Sequence, residues 1–371
     1  LIGADVASVV ILVSYPAGLA REVAAAPFTV QIRRHGLAGK ARSIGVRTKV
    51  SSTGKDKHMR ILVVGAGAIG GYFGGRLLAA GRDVTFLVRA KRAAALKRTG
   101  LSIRSPAGNL DLPEPPTVAA EALRAPFDLI LLSCKAYDLE GAIESFAPAV
   151  GPETAILPLL NGMRQLDILD RRFGEGHALG GLCLISASLD PEGRILHLNE
   201  LHGLTYGERD GARSPRVEAI AAAFAGAHFD ARLSETIVQE MWEKWVFIAT
   251  AAGLTCLMRA SIGDIVAAGA SGLALALFDE CADIARRQGH APSGPVTERI
   301  RAMITAKGSA TTASMLRDIE NGAPVEADHI IGDLMRRGEI AQGASLLAIA
   351  YAHLKAYEAR RARGQAPAKL S

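Results

Sequence analysis

The chain has 371 residues, 49% of them hydrophobic and 22% charged, which suits a folded globular protein with room for two cores. No apolar run approaches the ~18 residues of a membrane span, and the four scattered cysteines form no C-x-x-C, which argues against a disulfide scaffold or a cysteine zinc site. The net charge of +6 arises entirely in residues 1–58, where nine Lys or Arg face three acids; the remainder is neutral, so the basic balance is no argument for nucleic-acid binding.

Residues 1–58 show no firm periodicity, and the first methionine is Met59. They are expected to be a disordered or upstream-translated extension. A targeting peptide is the alternative, from the apolar Val9–Val13 run and the basic, acid-poor stretch after it. At Met59 the pattern sharpens. Ile61–Val64 is an apolar run suited to a buried parallel strand. Gly65-Ala66-Gly67-Ala68-Ile69-Gly70 follows at once, then a helical stretch to Ala80, a stop at Gly81, and a second strand over 83–88. Strand, G-x-G-x-x-G, helix and strand in that order form the dinucleotide-binding fingerprint. Its first glycine makes the tight turn, its second admits a pyrophosphate, and its third brings helix and sheet together. Arg89 closes the second strand, with Lys91 and Arg92 behind it, where an NAD site usually carries an acid. Arginine pairs with a 2′-phosphate, so the cofactor is read as NADP(H).

Further on, 90–98 reads as helix, 101–104 and 110–112 as short strands, and 127–134 as another buried strand. Lys135 stands where that strand ends and is a candidate ligand contact. A strand over 154–160 ends in Asn161-Gly162-Met163, so Asn161 is placed to meet a nicotinamide or a substrate oxygen; a helix-capping role is the alternative. Strands over 180–190, 194–198 and 204–207, with turns at 190–193 and 201–203, are expected to extend the first sheet. His177, His197 and His202 lack metal-ligand spacing. Helical periodicity resumes at 217–224 and dominates from Glu235: 235–256, 273–288, 296–307, 310–320, 326–338 and 346–363. The fold class is therefore α/β, an N-terminal Rossmann domain (59–225) joined to an all-α domain (226–357), with a flexible tail over 358–371.

Within Glu240–Gly253, EMWEKWVFIATAAG, Lys244 lies among Trp242, Trp245, Val246, Phe247 and Ile248. It is either one half of a Glu240–Lys244 surface pair or a proton donor to the alkoxide left by carbonyl reduction. Ser314-Met315-Leu316-Arg317-Asp318-Ile319, a turn, and Glu326-Ala327-Asp328 form a helix–turn–helix that can bring Ser314 and Glu326 to one pocket.

Taken together, GAGAIG, Arg89, Lys135 in SCKAYDL, Asn161 in LLNGM, Lys244 in WEKW, and SMLRDI with VEAD resemble the ketopantoate reductase (2-dehydropantoate 2-reductase) family over about 59–355. The resemblance implies NADPH-dependent reduction of 2-dehydropantoate to (R)-pantoate for pantothenate and coenzyme A synthesis, in the cleft between a Rossmann domain and a helical domain of the 6-phosphogluconate dehydrogenase C-terminal type. It implies Lys244 as general acid, Glu326 and Ser314 on the substrate, Asn161 between substrate and nicotinamide, and Lys135 near the cofactor, which Gly65, Ala66, Gly67, Ala68, Ile69, Gly70 and Arg89 cradle. Family members commonly carry asparagines where this chain has Ile248, Ala252 and Ile331. That favours, as an alternative, a paralogue for a more apolar 2-oxo acid; a non-catalytic NADP(H)-binding regulator is the alternative of another class. The expected setting is the cytoplasm, the expected partners a small 2-oxo acid and a second copy of the chain in a homodimer, with no metal, nucleic acid or membrane.

Overall fold

The computed structural model describes residues 59–340 and 345–365, so the expectations for residues 1–58 lie outside the described residues. The N-terminal half opens with strand β1 (Arg60–Val64), helix α1 (Ala68–Ala79) and strand β2 (Asp83–Leu87). Helix α2 (Ala90–Thr99), the strands β3 (Leu101–Arg104), β4 (Leu110–Leu112), β5 (Thr117–Val118) and β6 (Leu129–Leu132), and helix α3 (Leu139–Phe146) follow. Strand β7 (Ala155–Pro158) and helix α4 (Arg164–Phe173) lead to the long strands β8 (Gly180–Leu189) and β9 (Ile195–Gly207), helix α5 (Pro215–Phe224) and strand β10 (Asp230–Leu233).

β5, β2, β1, β6 and β7 lie side by side in that order, all parallel. The chain leaves β1 in one direction through β2 and returns to its other side with β6, so the switch point lies between β1 and β6. Ligands of open α/β sheets sit at the carboxyl ends of such strands. Alternation carries Ile61 and Val63 to one core and Leu62 and Val64 to the other, which is why β1 is apolar throughout.

The later strands extend this sheet only by a single parallel bridge, Ala178 on Ile156 of β7, just before β8. β8 and β9 pair antiparallel along most of their length, and the other edge of β9 takes β3 near its start and β10 near its end, both parallel. With β4 on β3 they form a second five-stranded sheet. The turn expected at Leu201-His202-Gly203 is absent, because those residues are held in strand on both sides: His202 against Ile185, and Gly203 against both Leu184 and Asp230. β10 also carries the N-terminal half past the boundary expected at 225.

Helix α1 lies between the two sheets, and its glycines explain how. A Cβ on Gly70 would sit 2.0 Å from Ser133 Oγ, and one on Gly74 2.7 Å from the Phe86 ring, both on the first sheet's side. A Cβ on Gly71 would meet Ile195 at 2.5 Å and one on Gly75 Leu101 at 3.0 Å, on the second sheet's side. The sequence GGYFGG is thus bare on both packing faces, while Tyr72 and Phe73 between them are fully buried.

The C-terminal half comprises α6 (Ile237–Met258), α7 (Ile262–Ala267), α8 (Ser271–Arg287), α9 (Gly294–Ile304), α10 (Ser314–Glu320), a π-helical turn (Asp328–Gly332), α11 (Asp333–Arg337) and α12 (Leu346–Gln365). The expected helix over 326–338 is therefore a π-turn running into a short α-helix, and 358–365, expected as the start of a flexible tail, is helical. α6 is the axle of this half. Ala249, Ala251, Ala252 and Gly253 are buried, and a Cβ on Gly253 would touch Leu277 of α8, Ala350 of α12 and Ile331 of the π-turn. A helix apolar on every side is buried on every side. No described helix is long and apolar enough to cross a membrane. One core joins the Leu62 face of the first sheet to α6, α8 and α12, so the halves share their interior.

Candidate active site

At the switch point Gly65 leaves β1 with φ +93°, a left-handed turn that suits glycine, and its N–H bonds to Leu87 O at 3.0 Å. Gly67 caps α1 with no side-chain bond, and a Cβ there would meet nothing within 4 Å. Gly70 is the reverse case, pressed on Ser133 and on the Gly65 carbonyl at 2.4 Å. Ser133 closes the switch point by donating to Val64 O at 2.9 Å. The turn is held from below and open above, the shape a phosphate cradle needs.

Arg89 and Lys91 are exposed at the end of β2. Arg89 Nη2 lies 2.8 Å from Asp138 Oδ1, a bond that raises its pKa. Arg92 folds back over the glycine turn, donating to Ala66 O at 3.0 Å and to Gly193 O at 3.3 Å. It braces the cradle from outside.

Lys135, at the end of β6, reaches across to the helical half. Its Nζ is 3.2 Å from Asp318 Oδ2 and 3.8 Å from Glu326 Oε2. Burial pulls this ammonium down, but Glu326 and Asp318 outweigh it and its pKa is raised. Glu326 also accepts the Ala136 N–H at 2.9 Å, and its carboxylate is 14% exposed. Asp318 lies one turn after Ser314 on α10, on the same face. Ser314 is exposed and does not cap the helix, since Ala313 is the N-cap.

Lys244 points from α6 to β8, its Nζ donating to Cys183 O at 2.7 Å. Burial lowers its pKa, with Cys183 acting slightly the other way. The surface pair with Glu240 does not form: Glu240 accepts from Arg232 Nη1 at 3.1 Å and from Ser234 Oγ at 2.5 Å. Beside Lys244, the Trp245 indole donates to Ile330 O at 2.9 Å.

Asn161 leaves β7 in a loop that Gln165 and His329 hold. Gln165 donates to Gly162 O at 2.7 Å and accepts from His329 Nε2 at 2.8 Å. His329 is buried, bonded also to the Asn161 backbone, and burial drives its pKa down to about 4. Asn161's own amide has no hydrogen-bond partner among the described residues, so the loop is fixed while its side chain stays available.

The segment 326–332 therefore gathers three threads: Glu326 to the end of β6, His329 to the loop after β7, and Ile330 to α6 beside Lys244. Lys135 and Glu326 meet directly, Lys135 also meets Asp318 on the Ser314 helix, and Lys244 and Asn161 join through that segment rather than by contact with one another. Asp318, Ser133, Gln165 and His329 are parts that sequence reasoning missed. Only the close fit required at Gly70 hinted at a small partner such as Ser133. Of the three departures from the family pattern, Ala252 and Ile331 are buried in the core, and only Ile248 is partly exposed. Among the described residues no group of His, Cys, Asp or Glu could hold a metal ion.

A doubly wound parallel sheet with an open glycine turn, joined to a helical half that sends a lysine and a glutamate back to it, defines a two-domain dinucleotide-fold oxidoreductase. Residues 61–211 match the family model described as ketopantoate reductase PanE/ApbA, and residues 236–358 match its C-terminal companion. The chain belongs to the ketopantoate reductase family. It is 39% identical over 307 residues to YkpB of Bacillus subtilis, described as an uncharacterized oxidoreductase, covering 82% of this chain and 100% of that one. A 2-dehydropantoate 2-reductase of Archaeoglobus fulgidus is 30% identical over 282 residues, covering 76% and 91%. The crystal structure of 2-dehydropantoate 2-reductase from Methylococcus capsulatus superposes with a TM-score of 0.72 at 29% identity, over 82% of this chain and 98% of that one. A D-mandelate dehydrogenase solved with NADH and anilino(oxo)acetate shares the fold, with a TM-score of 0.72 at 22% identity, over 82% and 100%.

Proposed function

We propose that this protein is a cytoplasmic NADPH-dependent reductase of a 2-oxo acid, with 2-dehydropantoate the leading substrate and (R)-pantoate the product. The observation that carries the reading is Lys244, an ammonium lowered in pKa by burial and held at 2.7 Å on a backbone carbonyl in the seam between the halves. Such a group gives up its proton more readily than an ordinary lysine, and a bystander helix has little use for it.

The residues present fit a dinucleotide. Gly65, Ala66, Gly67, Ala68, Ile69 and Gly70 would hold the pyrophosphate against the open α1 N-terminus, the clear space over Gly67 admitting it. Arg89 would take the 2′-phosphate, exchanging Asp138 for the more highly charged partner. When bound, the nicotinamide supplies a hydride to the C2 carbonyl. Lys244 Nζ turns from Cys183 O to the substrate oxygen, stabilises the negative charge that develops there, and protonates it. Asn161 orients the carbonyl through its free amide. Ser314 binds the far end of the acid, and Glu326 its hydroxyl. Lys135 keeps Glu326 in place and stands near the cofactor.

Ile248 favours a second reading, a more apolar 2-oxo acid. The test of both is loss of NADPH absorbance with 2-dehydropantoate, beside NADH and a panel of branched 2-oxo acids. Brisk, NADPH-selective turnover of 2-dehydropantoate supports the first. Turnover confined to an apolar acid supports the second, and Ile248→Asn should then shift the kcat/KM ratio about tenfold toward the hydroxylated substrate, the value of roughly one new hydrogen bond. Tight NADPH binding with no turnover of any acid would overturn both in favour of a regulator.

A further inference from the structure

Away from the glycine turn, a cavity of about 370 Å³ opens between α4, the π-helical turn and α12. Its walls include Arg164, Arg171, Arg336, Asp167, Asp328 and Tyr351. Asp333 lines it as well, so three arginines face three aspartates.

The carboxylates are held by cations of α11 and α12, two of which are shared. Asp333 takes Arg337 Nε at 2.9 Å and Arg336 beside it. Asp167 takes Arg337 Nη2 at 2.5 Å, with Arg336 at 3.6 Å. Asp328 takes Lys355 Nζ at 2.9 Å and the Tyr351 hydroxyl at 2.6 Å. Asp167, Asp328 and Asp333 are thus held by Arg336, Arg337 and Lys355, the last shared with Glu358 at 2.5 Å. Arg164 and Arg171 remain, and among the described residues neither makes a hydrogen bond or ion pair. They stand seven residues apart on α4 and therefore on one face. Arg164 is half-buried, and its charge adds a small part to the lowering of Asp328 by Tyr351 and Lys355 and of His329 by burial. As the first residue of α4 it also opposes the helix dipole, a position that an anion in the cavity would relieve.

We propose that this cavity binds a small phosphate-bearing anion, gripped by the guanidinium groups of Arg164 and Arg171. Two planar forks on one helix face suit a phosphate better than a point charge would. The volume lies at the lower end of small-molecule pockets and leaves space for a second phosphate or an organic body. The site is separate from the glycine turn and does not depend on which oxo acid the protein reduces. It nevertheless stands beside the candidate active site, since Arg164 follows Asn161 by three residues and Asp328 follows Glu326 by two.

The experiment is calorimetric titration of inorganic pyrophosphate into the full chain saturated with NADPH, which keeps the probe from the glycine turn. Saturable binding is expected, at least tenfold weaker in the Arg164→Gln/Arg171→Gln double variant and unchanged in Arg89→Gln. Inorganic phosphate should compete at the same site with lower affinity. Thermal melting checks the double variant; if it does not fold, Arg171→Gln alone, at an exposed position, should still weaken binding severalfold. Absence of saturable binding, equal binding by wild type and the arginine variants, or loss of binding on Arg89→Gln would overturn the proposal, the last by assigning the anion to the cofactor site.

Discussion

Lys244, half-buried, and His329, buried, are both bases whose charged form their surroundings disfavour, yet their tasks differ. Lys244→Ala should leave NADPH affinity unchanged and cut kcat by a factor on the order of 10² or more, the usual share of a positioned acid; unchanged turnover would remove the general-acid role. With the protonated lysine as the proposed donor, wild-type kcat should fall as pH rises through its lowered pKa, and that limb should be missing from the residual rate of Lys244→Ala. His329 concerns stability. Its native pKa of about 4 lies below the unfolded value near 6.5. Between those values the unfolded chain binds a proton that the native one does not, so stability is lost as pH falls from about 6.5 to 4. The shift corresponds to about 3 kcal/mol. His329→Gln should flatten the decline of Tm over that window, and an unaltered slope would show that other groups cause it. Lysine among tryptophans stood out in the sequence. His329 did not, because its partners Gln165 and Asn161 lie more than 160 residues away in the chain and only the fold unites them.

At the scale of elements, α1 allows fold and function to be separated with two methyl groups. Gly70→Ala forces a methyl to within 2.4 Å of the Gly65 carbonyl, and overpacking of that kind costs about 1–3 kcal/mol, visible as a lower Tm of the protein alone. Gly67→Ala meets nothing within 4 Å. Its Tm should be unchanged while NADPH binds at least tenfold more weakly, because the methyl would occupy the space proposed for the pyrophosphate. Equal NADPH affinity would place the cofactor elsewhere. From β1 to β4, and again at β6 and β7, the elements were legible because local signals agree: a buried apolar run, a glycine turn, a 3.6-residue period; the short β5 and α3 were not read. The second sheet was not. His202 and Gly203 read as a turn in isolation, but neighbours on both edges of β9 hold them extended, and pairing partners are invisible to a local pattern. The helix expected over 326–338 likewise hid a π-turn, a one-residue insertion in the helical register that periodicity does not resolve.

At the scale of the whole molecule, the two halves are tied by Lys135 to Asp318 at 3.2 Å, Ala136 to Glu326 at 2.9 Å, Lys244 to Cys183 at 2.7 Å and Arg337 to Asp167 at 2.5 Å. They also share one apolar core. Thermal unfolding should therefore be a single transition with equal calorimetric and van't Hoff enthalpies; two resolved transitions would show that the halves melt independently. The two-domain plan was readable from the change in periodicity near Glu235. The seam was not, since its ties join residues from seven separate elements and turns.

The chain contains two tryptophans, and both are on α6, their rings 4.9 Å apart. Trp242 stacks on His290 at 5.4 Å, and the Arg337 guanidinium lies 5.8 Å from the Trp245 ring and 6.0 Å from that of Trp242. With no tryptophan elsewhere to dilute the signal, the protein's tryptophan emission originates at one place, the turn of helix that carries Lys244. The molecule thus contains its own fluorophore at the seam, and unlabelled protein can report by a change in emission colour or intensity whenever cofactor, acid or heat disturbs the packing there.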